Sequence, residues 1–210
     1  MKGRRNPFVA REGIPFLLFA LVAAGITWGL AGILWTLLPA ALFIWFYLIF
    51  RDPRRRIPAM PLGVISPVDG IVTEVGLTDK SVFNGEGHKI VVAVDSLGTY
   101  AARCPVEGKI MNLHADSANS GSVKVESSGL WVRTDEDDDV VLQFYGHRFG
   151  VAPRAILRYG ERVGQGQRCA YLRFTRFAEV QFPINGRALV SVGDRVAAGT
   201  GVLAKLPPPK

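Results

Sequence analysis

The chain has 210 residues, of which 49% are hydrophobic, and its formal net charge at neutral pH is +7. This length allows one domain of ordinary size plus an appendage. Two cysteines are too few for a disulfide framework, so Cys104 and Cys169 are expected to be reduced and buried as small apolar residues. No basic stripe interleaved with aromatic residues accompanies the charge, so a nucleic-acid partner is not predicted.

The first predicted element is an uncharged run of 36 residues at positions 15–50. A single membrane-spanning helix needs roughly 20 apolar residues, so this run suits two short helices. Four weak helix formers or interfacial residues predict a turn near its middle: Thr27, Trp28, Gly29 and Gly32. We predict a membrane-embedded or transmembrane α-helical hairpin. A single long tilted helix is the alternative, and a cleaved signal peptide is disfavoured because no small-residue cleavage site follows.

Basic residues flank this run on both sides, in the N-terminal segment 1–14 and again at positions 51–56. Basic clusters beside a membrane span stay on the cytoplasmic side, so two spans would keep both clusters there. The predicted location is the inner cell membrane, with the soluble domain on its cytoplasmic side. Anionic phospholipid headgroups are the expected partners of the arginines.

The rest of the chain is predicted to be a linker and one β domain. Residues 51–62 contain three prolines and no periodic pattern, which indicates an extended linker. Over residues 63–210, short runs rich in valine and isoleucine alternate with turn residues, and no stretch has a helical period. The predicted fold class is an all-β soluble domain, a flattened barrel or sandwich, preceded by the helical hairpin.

Two motifs recur within this β domain. A turn with proline first and glycine fourth stands at positions 67–70, 105–108 and 183–186, and we expect its glycine in the left-handed conformation. A second motif, Gly-acid-Arg-Val, opens segments 160–166 and 193–199. Such turns resemble the corners of lipoyl- and biotinyl-type barrels. No lysine occupies the hairpin tip that those carriers modify, so a carrier function is not predicted.

The segments around these turns are specific enough to indicate a family. Residues 50–53 read Phe-Arg-Asp-Pro, residues 66–70 read Ser-Pro-Val-Asp-Gly, and residues 103–110 read Arg-Cys-Pro-Val-Glu-Gly-Lys-Ile. In this order and spacing they resemble the phosphatidylserine decarboxylases, particularly the short, archaetidylserine-decarboxylase-like type. The resemblance covers nearly the whole chain.

The resemblance implies a proenzyme that cuts its own backbone at a Gly-Ser bond, so that the serine becomes an N-terminal pyruvoyl group. That group is the cofactor for making phosphatidylethanolamine from phosphatidylserine. Counted back from Pro183, the family's Gly and Ser fall on Thr175 and Arg176. The family's assisting histidine falls on Tyr100, a poor general base because its ordinary pKa is about 10. Only the family acid, Asp69, is retained.

These substitutions predict that self-processing is lost and that no pyruvoyl cofactor forms. Arg176 has no hydroxyl with which to attack a carbonyl. Thr175 has one and would leave a ketobutyryl group, but we expect Phe174 to crowd the strained turn that glycine permits. Asp69 is interpreted as a retained catalytic acid or, without its partners, as a turn-capping aspartate.

Four arginines are candidates for binding a lipid headgroup, because a guanidinium pairs with phosphate through two hydrogen bonds. They are Arg103, Arg168, Arg173 and Arg176. The alternative is that they are strand residues that point outward to solvent.

Other polar groups receive structural interpretations. The Gly-Ser pair at positions 121–122 lies in a polar run that reads as a loop. Three histidines, His88, His114 and His147, do not cluster at metal spacing, and we expect them to be surface or singly hydrogen-bonded residues. The acidic run at positions 135–139 lacks the pattern of an EF-hand, so it is interpreted as a hairpin turn and no metal site is predicted.

Three functional hypotheses follow from the sequence. The first is a membrane-anchored family member, unprocessed and without a pyruvoyl group, that binds or regulates anionic phospholipid beside an active decarboxylase or as a homodimer. The second is an active phosphatidylserine decarboxylase with a non-standard processing site. The third is a structural membrane scaffold.

Overall fold

The computed structural model of the chain describes residues 8–78, 86–112, 128–147, 151 and 153–208. They belong to two compact units, Met1–Arg54 and Arg55–Lys210. The first unit is helical and the second is built from strands. The boundary between them falls inside the predicted linker, where residues 52–60 form neither helix nor strand.

The helical unit is a hairpin, as predicted. It contains a 3-10 turn at Arg11–Gly13, helix α1 at Ile14–Ala31 and helix α2 at Ile33–Phe50. Gly32 joins the helices with a φ of 81°, a conformation that glycine adopts without steric cost. Both helices are long and apolar enough to cross a membrane.

The turn between the helices is narrower than predicted. Thr27, Trp28 and Gly29 lie inside α1. The Thr27 hydroxyl donates a hydrogen bond to the carbonyl of Ala23 at 2.9 Å. A threonine that satisfies its hydroxyl on the preceding helical turn is compatible with a continuous helix. The turn is therefore made at Gly32.

The second unit consists of short antiparallel strands, which confirms the predicted all-β domain. The described strands are β1 Gly63–Ile65, β2 Gly70–Thr78, β3 Gly87–Val94, β4 Ala101–Arg103, β5 Gly108–Asn112, β6 Ser128–Arg133, β7 Asp139–Tyr145, β8 Arg154–Ala155, β9 Arg162–Val163, β10 Arg168–Tyr171, β11 Phe177–Pro183, β12 Arg187–Ala188, β13 Arg195–Val196 and β14 Val202–Lys205. They form three open sheets. The large sheet has the order β13-β2-β3-β11-β7-β6-β5-β9, and the small sheets have the orders β1-β14-β12 and β4-β10-β8.

One hydrophobic core joins the three sheets. Val180 of the large sheet, Leu203 of β14 and Ala170 of β10 are all buried in it. Successive strand residues point to opposite faces, so the runs rich in valine and isoleucine supply one buried face per sheet. Cys104 and Cys169 lie in the same core as free thiols, as predicted.

At each edge of the large sheet, one copy of the first recurrent motif pairs with one copy of the second. Gly70 of β2 lies opposite Val196 of β13. Gly108 of β5 lies opposite Val163 of β9 in the same relative register. The domain thus contains two copies of one structure. We call them the Asp69 repeat (residues 65–72 and 193–199) and the Glu107 repeat (residues 103–110 and 160–166).

Backbone hydrogen bonds connect the two repeats reciprocally. The N–H of Ile65 donates to the carbonyl of Pro105, and the N–H of Arg103 donates to the carbonyl of Pro67, both at 2.9 Å. Ile65 and Arg103 occupy equivalent positions, as do the two prolines. An interface in which equivalent groups exchange the same contact is two-fold symmetric, so the repeats are related by a local pseudo-two-fold axis.

In the first motif, glycine is required by the close approach of a neighbouring strand, whereas the sequence predicted a left-handed conformation. Gly108 has a positive φ, of 155°, but Gly70 and Gly186 do not. A Cβ atom at Gly70 would lie 1.9 Å from the carbonyl oxygen of Ala93, and one at Gly108 would lie 2.1 Å from that of Arg133. The prediction of a left-handed glycine is wrong at Gly70 and Gly186. At Gly70 and Gly108, the backbone of the neighbouring strand leaves no room for a side chain.

Candidate functional site

Two loops lie side by side between the large sheet and the β4-β10-β8 sheet. Residues 95–100 join β3 to β4, and residues 172–176 join β10 to β11. The N–H of Val94 donates to the carbonyl of Arg176 at 2.7 Å, and the N–H of Leu172 donates to the carbonyl of Tyr100 at 2.9 Å. We call residues 95–100 and 172–176 the loop pair. It brings together three residues that the sequence predicted as one site, Tyr100, Thr175 and Arg176.

Asp69 lies beside the loop pair and links three other segments. Its Oδ2 accepts hydrogen bonds from Nη2 of Arg55 at 2.8 Å and from the N–H of Thr99 at 2.9 Å. Its Oδ1 accepts from the N–H of Ala198 at 2.7 Å. None of these donors belongs to its own turn, so Asp69 is not a turn cap. A nucleophilic side chain is not among these three donors, so Asp69 is not paired with a nucleophile in this arrangement.

Thr175 closes a tight turn at the end of the second loop. Its N–H donates to the carbonyl of Leu172 at 3.1 Å. Arg173 holds the strained position, with a φ of 53°, and this conformation costs about 1–2 kcal/mol for a residue other than glycine. The side chain of Phe174 is 49% exposed. About half of the Phe174 side chain lies at the surface, and the expectation that its bulk crowds the turn stays a prediction.

His147 lies beside Thr175, which the sequence did not predict. Oγ1 of Thr175 is 3.3 Å from Nδ1 of His147 and 2.6 Å from the carbonyl oxygen of Leu172. A carbonyl only accepts, so the single hydroxyl proton is directed to Leu172 and His147 is the donor of the second contact. In this arrangement the imidazole does not act as a base toward the hydroxyl.

Tyr100 packs within an aromatic pair at the base of the loop pair. Its ring centroid lies 5.6 Å from that of Tyr171, at an interplanar angle of 37°. The Tyr100 side chain is half-buried. A tilted ring pair at this separation is a favourable packing arrangement, so the tyrosine has a structural contact at the position where the resemblance places a histidine.

The four candidate arginines occupy different environments. Arg103 is only 2% exposed, and its Nη1 donates to the carbonyl of Gly166 at 3.1 Å, so it is held inside the domain. Arg168 and Arg173 are half-buried, whereas Arg176 is exposed. Within the described part of the chain, the Arg176 side chain has no hydrogen-bond or ion-pair partner. Arg176 is the best placed of the four to bind an external anion.

The acidic run forms the hairpin turn between β6 and β7. Asp139 accepts hydrogen bonds from Nε1 of Trp131 and Nε of Arg133, each at 2.8 Å. Asp135 pairs with Arg162. These acids are thus used in contacts within the domain. No group of three His, Cys, Asp or Glu residues that could hold a metal ion occurs in the described ranges.

Of the remaining candidates, the structure describes His88. His88 stacks on Phe182 with ring centroids 5.2 Å apart. His114 and the Gly-Ser pair at 121–122 fall outside the described residues.

The chain is similar to known proteins over almost its whole length. The phosphatidylserine decarboxylase family matches residues 42–114. A phosphatidylserine decarboxylase proenzyme of Aromatoleum aromaticum is 34% identical over 96% of this chain and 97% of that protein. The proenzyme of Nitrosomonas europaea is also 34% identical, over 95% of this chain and 96% of its own. No solved structure matches the chain.

Proposed function

The chain belongs to the phosphatidylserine decarboxylase family, and we propose that it is a membrane-anchored member that stays unprocessed and binds anionic phospholipid. The observation that carries this proposal is the composition of the second loop of the loop pair, residues 172–176. Thr175 and Arg176 stand there where the resemblance places the processed Gly-Ser pair. Arg176 lacks the hydroxyl that the reaction needs.

The residues around this turn do not fit a pyruvoyl group. Thr175 is the one hydroxyl at the processing position, and it donates its proton to the carbonyl of Leu172. Asp69 is occupied by an arginine and two backbone N–H groups. Neither the hydroxyl nor the carboxylate is arranged as a nucleophile with its base. The chain in this state has no route to the cofactor.

The arginines of the second loop support binding of a headgroup. Arg176 is exposed and Arg173 is half-buried on the same loop. A guanidinium forms paired hydrogen bonds with a phosphate or a carboxylate, and the headgroup of phosphatidylserine offers both. Two membrane-length helices in the same chain would hold these arginines near lipid.

Titration of the purified full-length protein in detergent with short-chain phosphatidylserine tests this proposal. We expect Arg176→Ala to weaken binding about tenfold, since a hydrogen bond to a charged group contributes about 1.5 kcal/mol. Arg187→Ala is the matched control, because Arg187 is also exposed but follows the opposite end of β11. Unchanged binding in Arg176→Ala and Arg173→Ala would favour the structural scaffold instead.

One contact favours a second function, an active decarboxylase that makes phosphatidylethanolamine. The Thr175 hydroxyl is 3.3 Å from the His147 imidazole, so a rotation of the hydroxyl and the other tautomer would create a nucleophile with a base. Cleavage before Thr175 would then leave a ketobutyryl group. Thr175→Val keeps the shape of the side chain and removes the hydroxyl. It would abolish cleavage and decarboxylation in this second case and change neither in an unprocessed protein.

A further inference from the structure

Two large apolar side chains are exposed on the loop pair. Leu97, in the first loop, is 53% exposed, and Phe174, in the second, is 49% exposed. Scattered apolar residues are normal on a protein surface. These two differ because their loops are hydrogen-bonded to each other at both ends, so both side chains belong to one surface feature. We call the exposed side chains of Leu97 and Phe174 the apolar tip of the loop pair.

The residues around this tip are those of a membrane interface. Tyr100 and Tyr171 form a ring pair at its base, and tyrosine favours the level of the lipid headgroups. Arg173 and Arg176 flank Phe174 in the chain. Arg154 is exposed and lies opposite Tyr171 in the adjacent strand, at the same end of the sheet. Aromatic and basic residues thus surround the apolar tip.

Two acidic side chains that lie in the loop pair or contact it are paired with arginines. Asp95 begins the first loop and pairs with Arg195 at 3.3 Å. Asp69 pairs with Arg55 at 2.8 Å. The charges of Asp69 and Asp95 are thus offset by Arg55 and Arg195, so these two acids do not offset the positive charges of Arg154, Arg173 and Arg176. A positive surface is attracted to a bilayer that contains anionic lipid.

We propose that the apolar tip of the loop pair inserts into the headgroup layer of an anionic bilayer. Leu97 and Phe174 enter below the phosphates, and Arg154, Arg173 and Arg176 pair with the phosphates around them. Buried apolar area and attraction to anionic lipid together give this mode of binding. The inference deepens the proposed function, on which it rests for the chemistry of the lipid. A bilayer is the favoured occupant because the same chain carries two membrane-length helices.

Depth-dependent fluorescence quenching tests the insertion on the full-length protein in nanodiscs. Leu97→Cys and Phe174→Cys are each labelled with an environment-sensitive dye, and the discs contain lipids with a quencher on the upper acyl chain. Cys104 and Cys169 are buried, so a labelling reagent reaches the introduced cysteine first. Leu77→Cys is the control, because Leu77 is 62% exposed at the far end of β2. Gly70 pairs with Val94 next to the first loop, and Leu77 lies seven residues beyond Gly70, or roughly 23 Å along the strand away from the loop pair.

In discs of phosphatidylcholine with phosphatidylglycerol, we expect quenching at positions 97 and 174 to be at least roughly twofold greater than at position 77. Arg176→Ala should reduce that difference. Equal quenching at all three positions would overturn the insertion and point to another occupant of the tip, such as a protein partner. If positions 97 and 174 were quenched as strongly in discs of phosphatidylcholine alone as in discs with phosphatidylglycerol, the requirement for anionic lipid would be overturned. A cleaved chain with a reactive carbonyl would refute the proposed function without changing the quenching, so the two failures are distinguishable.

Discussion

The Asp69 and Glu107 repeats have the same backbone pairing but use their acidic residues differently. Asp69 accepts hydrogen bonds from Arg55, Thr99 and Ala198. Glu107 is exposed and has no hydrogen-bond partner within the described ranges. The turn itself therefore does not require an acid at this position. Asp69 is needed to connect segments that come from other parts of the chain.

The residue that opens each turn shows a second difference. Ser66 donates a hydrogen bond from its hydroxyl to the carbonyl of Val68 at 2.7 Å. Cys104 stands at the equivalent position in the Glu107 repeat. Burial raises the pKa of the Cys104 thiol from its ordinary value of 9.0 to about 12, against a smaller lowering by a backbone hydrogen bond from Val106. The same backbone conformation is thus compatible with a serine at this position in one repeat and a cysteine in the other.

Replacing each acid separately by alanine should change the free energy of unfolding by very different amounts in the two repeats, and the change at Asp69 is the largest effect we predict. Asp69→Ala leaves a guanidinium and two backbone N–H groups without their acceptor, and we expect a loss of about 3 kcal/mol in the free energy of unfolding. Glu107→Ala removes an exposed side chain and should change it by less than about 0.5 kcal/mol. Denaturant unfolding of the two variants in detergent measures both. Equal losses would show that the repeats use their acids alike.

Adding a methyl group to the two glycines should instead destabilise the repeats to a similar extent. Gly70→Ala and Gly108→Ala both force a Cβ atom against the carbonyl of a neighbouring strand. We expect each to lower the free energy of unfolding by about 2 kcal/mol, the usual scale of overpacking. Gly160→Ala is the control for a positive φ in open space and should cost about 1 kcal/mol. A tolerated Gly108→Ala would mean that the Glu107 repeat is less tightly paired.

The third prediction concerns the pH dependence of stability, which Cys104→Ser should change at alkaline pH. Between pH 9 and 12 the unfolded chain gives up the thiol proton while the folded chain keeps it, so stability falls as pH rises. One thiol accounts for about 1.4 kcal/mol per pH unit in this window. Unfolding measured at pH 9 and pH 10 should show a shallower loss in the variant. Parallel losses in the two proteins would exclude Cys104 as the source.

The sequence predicted local features of the fold and missed the distant ones. The helical hairpin follows from an uncharged run at positions 15–50, and the β domain follows from its turn residues, so both could be predicted. The pairing of the two segments that make up the Asp69 repeat could not be predicted, because β2 and β13 are more than 100 residues apart and their register is set by tertiary packing. Gly70 shows the same limit, since the carbonyl that crowds it belongs to Ala93, 23 residues further along the chain.

The site was predicted in part for the same reason. Tyr100, Thr175 and Arg176 were identified by counting along the resemblance, and the structure brings them together in the loop pair. His147 was not included, because its contact with Thr175 spans 28 residues and has no sequence pattern. Two of the three groups bound to Asp69 are backbone N–H groups, which any residue except proline supplies, so the sequence could not reveal them.

The intact mass of the full-length protein, purified from cells and treated with borohydride, tests the central claim most directly. An unprocessed chain gives a single species near 22.9 kDa that borohydride does not change. Two fragments separated at the Phe174–Thr175 bond, the smaller one gaining two hydrogens on reduction, would contradict the account and identify an active decarboxylase.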